Sequence, residues 1–218
     1  LDVDSLIDFH HRSGGEATIS LTPVDDPSQF GIVEIESSGR VLRFVEKPAK
    51  GETSSNFASA GTYVMEPSSL ERMPDGQKLS IERVVFPAIV GDGGLFAMAT
   101  DDYWIDAGRP DTYLEANVHA VRSGSVPALH PSANVDVDVE LIDSVVGANA
   151  RVGARASIRR SVLLPDSVIG RDAIVRGSLV MGEVGDGAVV IDSVIGKDGK
   201  VNAGETISGA KRPSDANG

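Results

Sequence analysis

Along "ATISLTPV" apolar and polar residues alternate, the pattern of a strand with one face turned to a core. The same period runs through "IVEIESSGRVLRFVEK", where a Ser-Ser-Gly turn divides two strands, and through "ASAGTYVMEP", which opens on small residues. "GLFAMAT" and "DYWIDAG" predict further extended segments. Helical patterns lie between them. Asp4 or Ser5 is placed to cap "LIDFHHR", which stops at Gly14-Gly15 and carries His10 and His11 on its polar side, read as a solvated face rather than a metal pair. "PSQFG" reads as a turn and Ser68 as the start of a short helix. Ser80 is placed to cap "IERVVFPAIV", with Glu82 in the first turn, and Pro110-Asp111 to open "DTYLEANVHAVRSG".

After Gly124 the period changes. Aliphatic residues recur at about every sixth position: Leu129, Val135, Leu141, Val146, Val152, Ile158, Ile169, Val175, Ile195, Val201 and Ile207. No helix has that repeat. Three short strands per coil would turn each aliphatic residue inward and leave small ones at the corners, which predicts a hexapeptide β-helix rather than a sandwich. Ser144, Ser161 and Ser178 recur seventeen residues apart, matching coils of six, six and five. The expected organisation is a mixed α/β domain over 1–124, a β-helix over 125–209 and a polar, poorly ordered tail over 210–218.

Composition narrows the classes. The 218 residues carry 32 acids against 20 Lys plus Arg, a formal charge of −12, which opposes binding to nucleic acid or an anionic membrane. An anionic substrate therefore needs a local basic site. There is no cysteine, which excludes disulfide and thiolate chemistry, and the apolar runs fall short of a membrane span. A cytoplasmic protein is expected. The chain opens on Leu1-Asp2-Val3-Asp4 in mid-pattern, without an initiator Met, so a fragment is expected.

Three stretches carry candidate chemistry. In "RFVEKP", Lys47 offers a compact cation for a phosphate oxygen and Glu46 an acceptor-only carboxylate for paired hydroxyls; equally, the pair suits a solvated strand end. Pro48 is expected to hold Lys47 extended. In "WIDAG", Asp106 suits a hard cation such as Mg²⁺, or backbone N–H groups in a turn. The small residues Ala58-Ser59-Ala60-Gly61, with Phe30-Gly31, permit close approach of backbone to a ligand, or a bulge.

Taken in order, "PSQFGIV", "GRVLRFVEKP", "SAGTYVMEP", "LSIERVVFP" and "YWIDAGRPDTYLEAN" before a hexapeptide repeat resemble the sugar-1-phosphate nucleotidylyltransferases, most closely their mannose-1-phosphate guanylyltransferase branch. The resemblance covers essentially the whole chain. It implies the C-terminal portion of a Rossmann-like nucleotidyltransferase domain followed by a left-handed parallel β-helix. It also implies nucleotidylyl transfer from a nucleoside triphosphate, GTP in that branch, to a sugar-1-phosphate such as mannose-1-phosphate, giving a nucleotide-sugar and pyrophosphate. By the same resemblance Lys47 binds the sugar phosphate, Glu46 the sugar hydroxyls, Gly31, Ser59 and Gly61 line the sugar pocket, and Asp106 is one of two Mg²⁺-binding carboxylates. Lys47 and Asp106 are then the catalytic pair. Ser59 departs from the family's asparagine, and the resemblance implies that the Gly-rich nucleotide loop falls before Leu1, in a missing segment of about a hundred residues, the size of a small domain. A glucose-1-phosphate uridylyl-, thymidylyl- or adenylyltransferase and a non-catalytic regulatory or scaffold homologue are the alternatives. An acyltransferase ranks last, since no His lies between Val135 and Ile207. The flat sides and ends of the coils need covering, which predicts a homo-oligomer.

Overall fold

The computed structural model describes residues 1–213; residues 214–218 of the expected tail lie outside the described residues. The chain folds as two compact units, Leu1–Trp104 and Ile105 onward. The division falls ahead of the expected boundary at 124/125, because the helix that follows Gly108 packs on the β-helix.

In the first unit, helix α1 (Val3–Ser13) is capped by Asp2, whose Oδ1 accepts the Ser5 N–H at 3.2 Å, and ends at Gly14 in the left-handed region (φ 64°). The cap precedes the expected Asp4 or Ser5. Asp2 is itself extended (φ −83°, ψ 105°), the conformation from which a short side chain reaches the free N–H groups of the first turn. His10 also departs from expectation: it is buried between the sheet and the helix, its Nδ1 2.9 Å from Thr18 Oγ1 and its Nε2 3.3 Å from Glu66 Oε1. His11 is exposed.

The strands are β1 (Ala17–Pro23), β2 (Gly31–Ile35), β3 (Val41–Glu46), β4 (Phe57–Met65) and β5 (Leu95–Ala99), in the order β3-β2-β4-β1-β5. Only β1 and β5 run parallel; β4 is antiparallel to β1 and β2, and β2 to β3. These residues thus form a mixed sheet. β1 is covered on both faces, with Ala17, Ile19 and Leu21 on one and the small polar Thr18, Ser20 and Thr22 on the other. The first set packs with Val33, Phe86, Ile89 and Leu95. The turn before β2 is a 3₁₀ segment, Pro27–Gln29, and another, Pro67–Arg72, follows β4. No strand forms in "DYWIDAG".

The helix expected over "IERVVFPAIV" is split. Ser80 caps it as predicted, its Oγ accepting the Arg83 N–H, but Ile81–Val85 form a π turn before α2 (Phe86–Gly91). Pro87 supplies the cause. Its ring has no N–H for Arg83 and would clash with that carbonyl, and widening the turn relieves the conflict.

The second unit begins with α3 (Pro110–Arg122), whose Val118 is buried and whose Arg122 pairs with Asp143 of the β-helix. Three parallel five-stranded sheets then wind through five coils. Val146, Val152, Ile158, Ile169, Val175, Ile195, Val201 and Ile207 line the interior as the repeat predicted, joined by Leu163, Val180, Val184 and Val190. Leu129 does not join them; it bridges to Val146 through its backbone and is exposed. Lys211-Arg212, expected in a loose tail, pair with Val194-Ile195 as a strand of the last coil.

A buried serine ladder ties the coils together. Ser144, Ser161, Ser178 and Ser193 each donate to the carbonyl two residues back, while each Oγ accepts an N–H one coil further on, from Ser161, Ser178, Ser193 and Ala210. The step is 17 residues until Ser178, then 15 to Ser193. Preceding residues Asp143, Arg160 and Asp192 take positive φ, the cost of the corner that aims each serine inward.

Ser161→Ala strands the buried Ser178 N–H and lowers stability by about 1–3 kcal/mol in urea unfolding. Ser167→Ala, at a buried hydroxyl without a partner among the described residues, is neutral or stabilising in the same measurement. Outside, Asp172 accepts a bidentate bond from Arg155 and Glu183 bonds Lys200 at 2.9 Å, and these hydrogen bonds lower both carboxyl pKa values. Stability from such groups is present above their unfolded pKa of about 4 and lost as pH falls through the lower folded value. Asp172→Asn is therefore expected to flatten the loss of thermal stability below about pH 4.

Candidate functional site

Antiparallel pairing brings Gly31 opposite Glu46, and one further rung, from the Lys47 N–H to the Phe30 carbonyl (2.9 Å), extends the ladder past β3. Glycine is required at 31 by space. A Cβ there would meet Phe44 Cζ at 2.7 Å and Glu46 Oε2 at 3.0 Å, so the carboxylate lies close over the Gly31 backbone. Glu46 Oε1 is 3.8 Å from an Arg83 guanidinium nitrogen reaching in from the π turn.

Lys47 then turns sharply, with φ at 50°. The extended conformation expected before Pro48 is thus not adopted. A bonded N–H fixes Lys47 at its front and a buried Pro48 fixes it behind, so the turn between them is made at Lys47, in a region costly for a side-chain-bearing residue. The side chain itself is exposed.

The small-residue stretch forms a bulge. Ile19 pairs with Tyr63 but Leu21 with Ser59, so Ala60-Gly61-Thr62 stand opposite Ser20 alone, and Gly61 takes φ 73°. The Trp104 indole N–H donates to the Ala60 carbonyl at 3.1 Å, and its ring meets Phe30 edge-on at 5.6 Å. Beside the bulge, Ser59 Oγ lies 3.4 Å from the Tyr63 hydroxyl, which donates to Glu82 Oε1 at 2.9 Å. Phe86 supports this group from beneath, 4.9 Å from the Tyr63 ring and 6.0 Å from that of Phe44. The Tyr63 pKa is pushed up to about 12, first by burial, then by the hydrogen bond to Glu82 and by the charges of Glu82 and Glu46. The phenol therefore keeps its proton at neutral pH.

Gly31, Glu46, Lys47, Ser59 and Gly61 all belong to the first unit, at the ends and bulge of β2, β3 and β4. Asp106 belongs to the second, exposed before α3. Its Oδ1 accepts the Gly108 N–H at 3.0 Å, which is the turn bond anticipated for it, and leaves Oδ2 without a partner among the described residues. No three His, Asp or Glu side chains cluster for a metal among the described residues. One free carboxylate oxygen fits Mg²⁺ only as part of a shell completed by water and phosphate, the usual habit of that ion.

A family model described as "Nucleotidyl transferase" matches residues 2–123. The chain belongs to the nucleotidyl transferase family. It is 35% identical over 197 residues to the probable mannose-1-phosphate guanylyltransferase 3 of Oryza sativa subsp. japonica, covering 88% of this chain and 53% of that protein. It is 32% identical over 195 residues to the mannose-1-phosphate guanylyltransferase of Mycobacterium tuberculosis (strain ATCC 25618 / H37Rv), covering 88% and 49%. A third relative, the mannose-1-phosphate guanylyltransferase catalytic subunit beta of Drosophila pseudoobscura pseudoobscura, is 35% identical over 152 residues, covering 67% and 40%. The chain spans about half the length of the curated relatives it matches.

Tyr63, Glu82 and Arg83 join the site without having been marked by the sequence alone. Tyr63 was legible there, being four residues along the same strand from Ser59. Glu82 and Arg83 were not, since the π turn that carries them depends on how Pro87 is accommodated. Strain at Lys47 makes a separable prediction. Lys47→Gly is expected to be about 1 kcal/mol more stable than Lys47→Ala in denaturant titration, since glycine adopts positive φ without penalty.

Proposed function

We propose that the full-length protein transfers a nucleotidyl group from a nucleoside triphosphate, GTP, to mannose-1-phosphate, yielding GDP-mannose and pyrophosphate. The observation that carries the reading is the Gly31–Glu46 rung with Lys47 turned out immediately beyond it: a cation for a phosphate beside a carboxylate for hydroxyls, over a backbone free of side chain. Family membership and the names of the relatives support the same reaction.

In this reading a phosphate oxygen of the sugar phosphate attacks the α-phosphorus, the new P–O bond forms, and the bond to the β-phosphate breaks as pyrophosphate leaves with its electron pair. Lys47 holds the attacking phosphate and offsets its charge. Glu46 accepts from sugar hydroxyls, and Gly31, Ser59 and Gly61 let the ring lie against the sheet. Asp106 would be one oxygen ligand of Mg²⁺, whose contribution when bound is to neutralise phosphate charge. Catalysis by this chain is then positioning and charge compensation, with no covalent intermediate. A left-handed β-helix, a homo-oligomeric state and a cytoplasmic location belong to the same proposal. Among the described residues no helix is long and apolar enough to cross a membrane.

Pyrophosphate release from GTP, mannose-1-phosphate and Mg²⁺ tests the reaction. Lys47→Ala in the full-length protein is expected to raise the KM for sugar phosphate and lower kcat, together costing roughly 2–4 kcal/mol of transition-state stabilisation. Unchanged turnover at limiting sugar phosphate would remove Lys47 from the mechanism, and no pyrophosphate from the unaltered protein would favour a regulatory homologue.

A further inference from the structure

The group Ser59, Tyr63 and Glu82 lies beside the proposed sugar site, yet nothing in the transfer chemistry uses Glu82. A phenol has one proton to donate and lone pairs to accept with. Here that proton is directed to Glu82 Oε1 at 2.9 Å, leaving the Tyr63 oxygen free only to accept, as it does within 3.4 Å of Ser59 Oγ. Glu46 is an acceptor as well, close enough for its charge to act on the same phenol. Two carboxylates and a phenol oxygen thus act as acceptors at this end of the site, with the Ser59 hydroxyl within reach of the phenol.

We propose that Glu82 is a positioning residue: by taking the Tyr63 proton it makes this end of the site an acceptor surface, selective for a neutral hexose 1-phosphate with free hydroxyls. The inference rests on the reaction proposed above and adds a residue that sets which sugar phosphates the site accepts. Sugar hydroxyls bring donors to acceptors. A hexuronic acid 1-phosphate would instead bring a third carboxylate beside Glu46 and Glu82, with acceptors facing acceptors. Arg83 does not relieve this, because it already faces Glu46 at 3.8 Å and is itself largely exposed. Glu82 is held in place from both sides. Ser80 caps the turn behind it, and the buried Phe86 one turn on packs against the Tyr63 ring.

The test compares hexose 1-phosphate with hexuronic acid 1-phosphate as acceptors for the full-length protein, read by pyrophosphate release at saturating nucleoside triphosphate. Glu82→Gln is expected to raise the hexose 1-phosphate KM roughly tenfold, with kcat within about twofold, and to narrow the preference over the uronic acid. Tyr63→Phe keeps the ring on Phe86 and is expected to give the same KM rise, so that a folding defect in one variant leaves the other to decide. Glu82→Asp is expected to recover part of the preference. Wild-type KM and preference in both Glu82→Gln and Tyr63→Phe would overturn the inference, as would a fall in kcat alone. Were the unaltered protein to release no pyrophosphate with any sugar phosphate, the transfer reading would fail by itself. Calorimetric binding of hexose 1-phosphate would then carry the comparison, with roughly tenfold weaker binding in Glu82→Gln supporting the role of Glu82 and equal binding overturning it.

Discussion

A slip of β3 by one residue along β2 would turn every β3 side chain to the opposite face of the sheet, and the candidate site with it. Register is therefore the constraint on which the first unit's chemistry depends. Phe44, opposite Val33, packs into the core with Val41 and Phe86, while its neighbour Val45, opposite Ile32, is buried on the other face, so only this register keeps both sets covered. That choice sets Glu46 over Gly31 and sends Lys47 past the last rung. The carboxylate and the cation are thus positioned by backbone pairing well below them, rather than by contacts of their own.

The two units solve the burial problem differently. In the first, one mixed sheet buries β1 on both faces, and buried polar groups such as His10 and Thr18 satisfy one another singly. In the second, the same solution repeats coil after coil: aliphatic side chains inside, a serine ladder at one corner, ion pairs such as Arg155–Asp172 and Glu183–Lys200 outside. Surface pairs of that kind contribute little individually. The serines matter more, because each satisfies a backbone N–H of the next coil where no water reaches.

Much of this was legible in the residues. The six-residue spacing from Val135 to Ile207 identified the β-helix, because a coil places the same side-chain type inward at each turn and so writes its geometry as a period. The strands of the first unit were readable from alternation, and the site from the order of short motifs. What escaped reading depended on neighbours distant in sequence. His10 is buried because Thr18 and Glu66 meet it, the π turn arises where Pro87 interrupts a helix, and Lys47 bends because its two flanks are both pinned. The shortened coil between Ser178 and Ser193 broke the repeat where a strict period would have carried on.

The bond from Trp104 to the Ala60 carbonyl has a practical corollary. It is the only tryptophan in the chain, and its indole N–H is anchored to the bulge that includes Gly61. The protein thus carries an intrinsic fluorophore wired to the backbone of its proposed sugar pocket, and emission from that one ring is a reporter of whatever settles against the bulge.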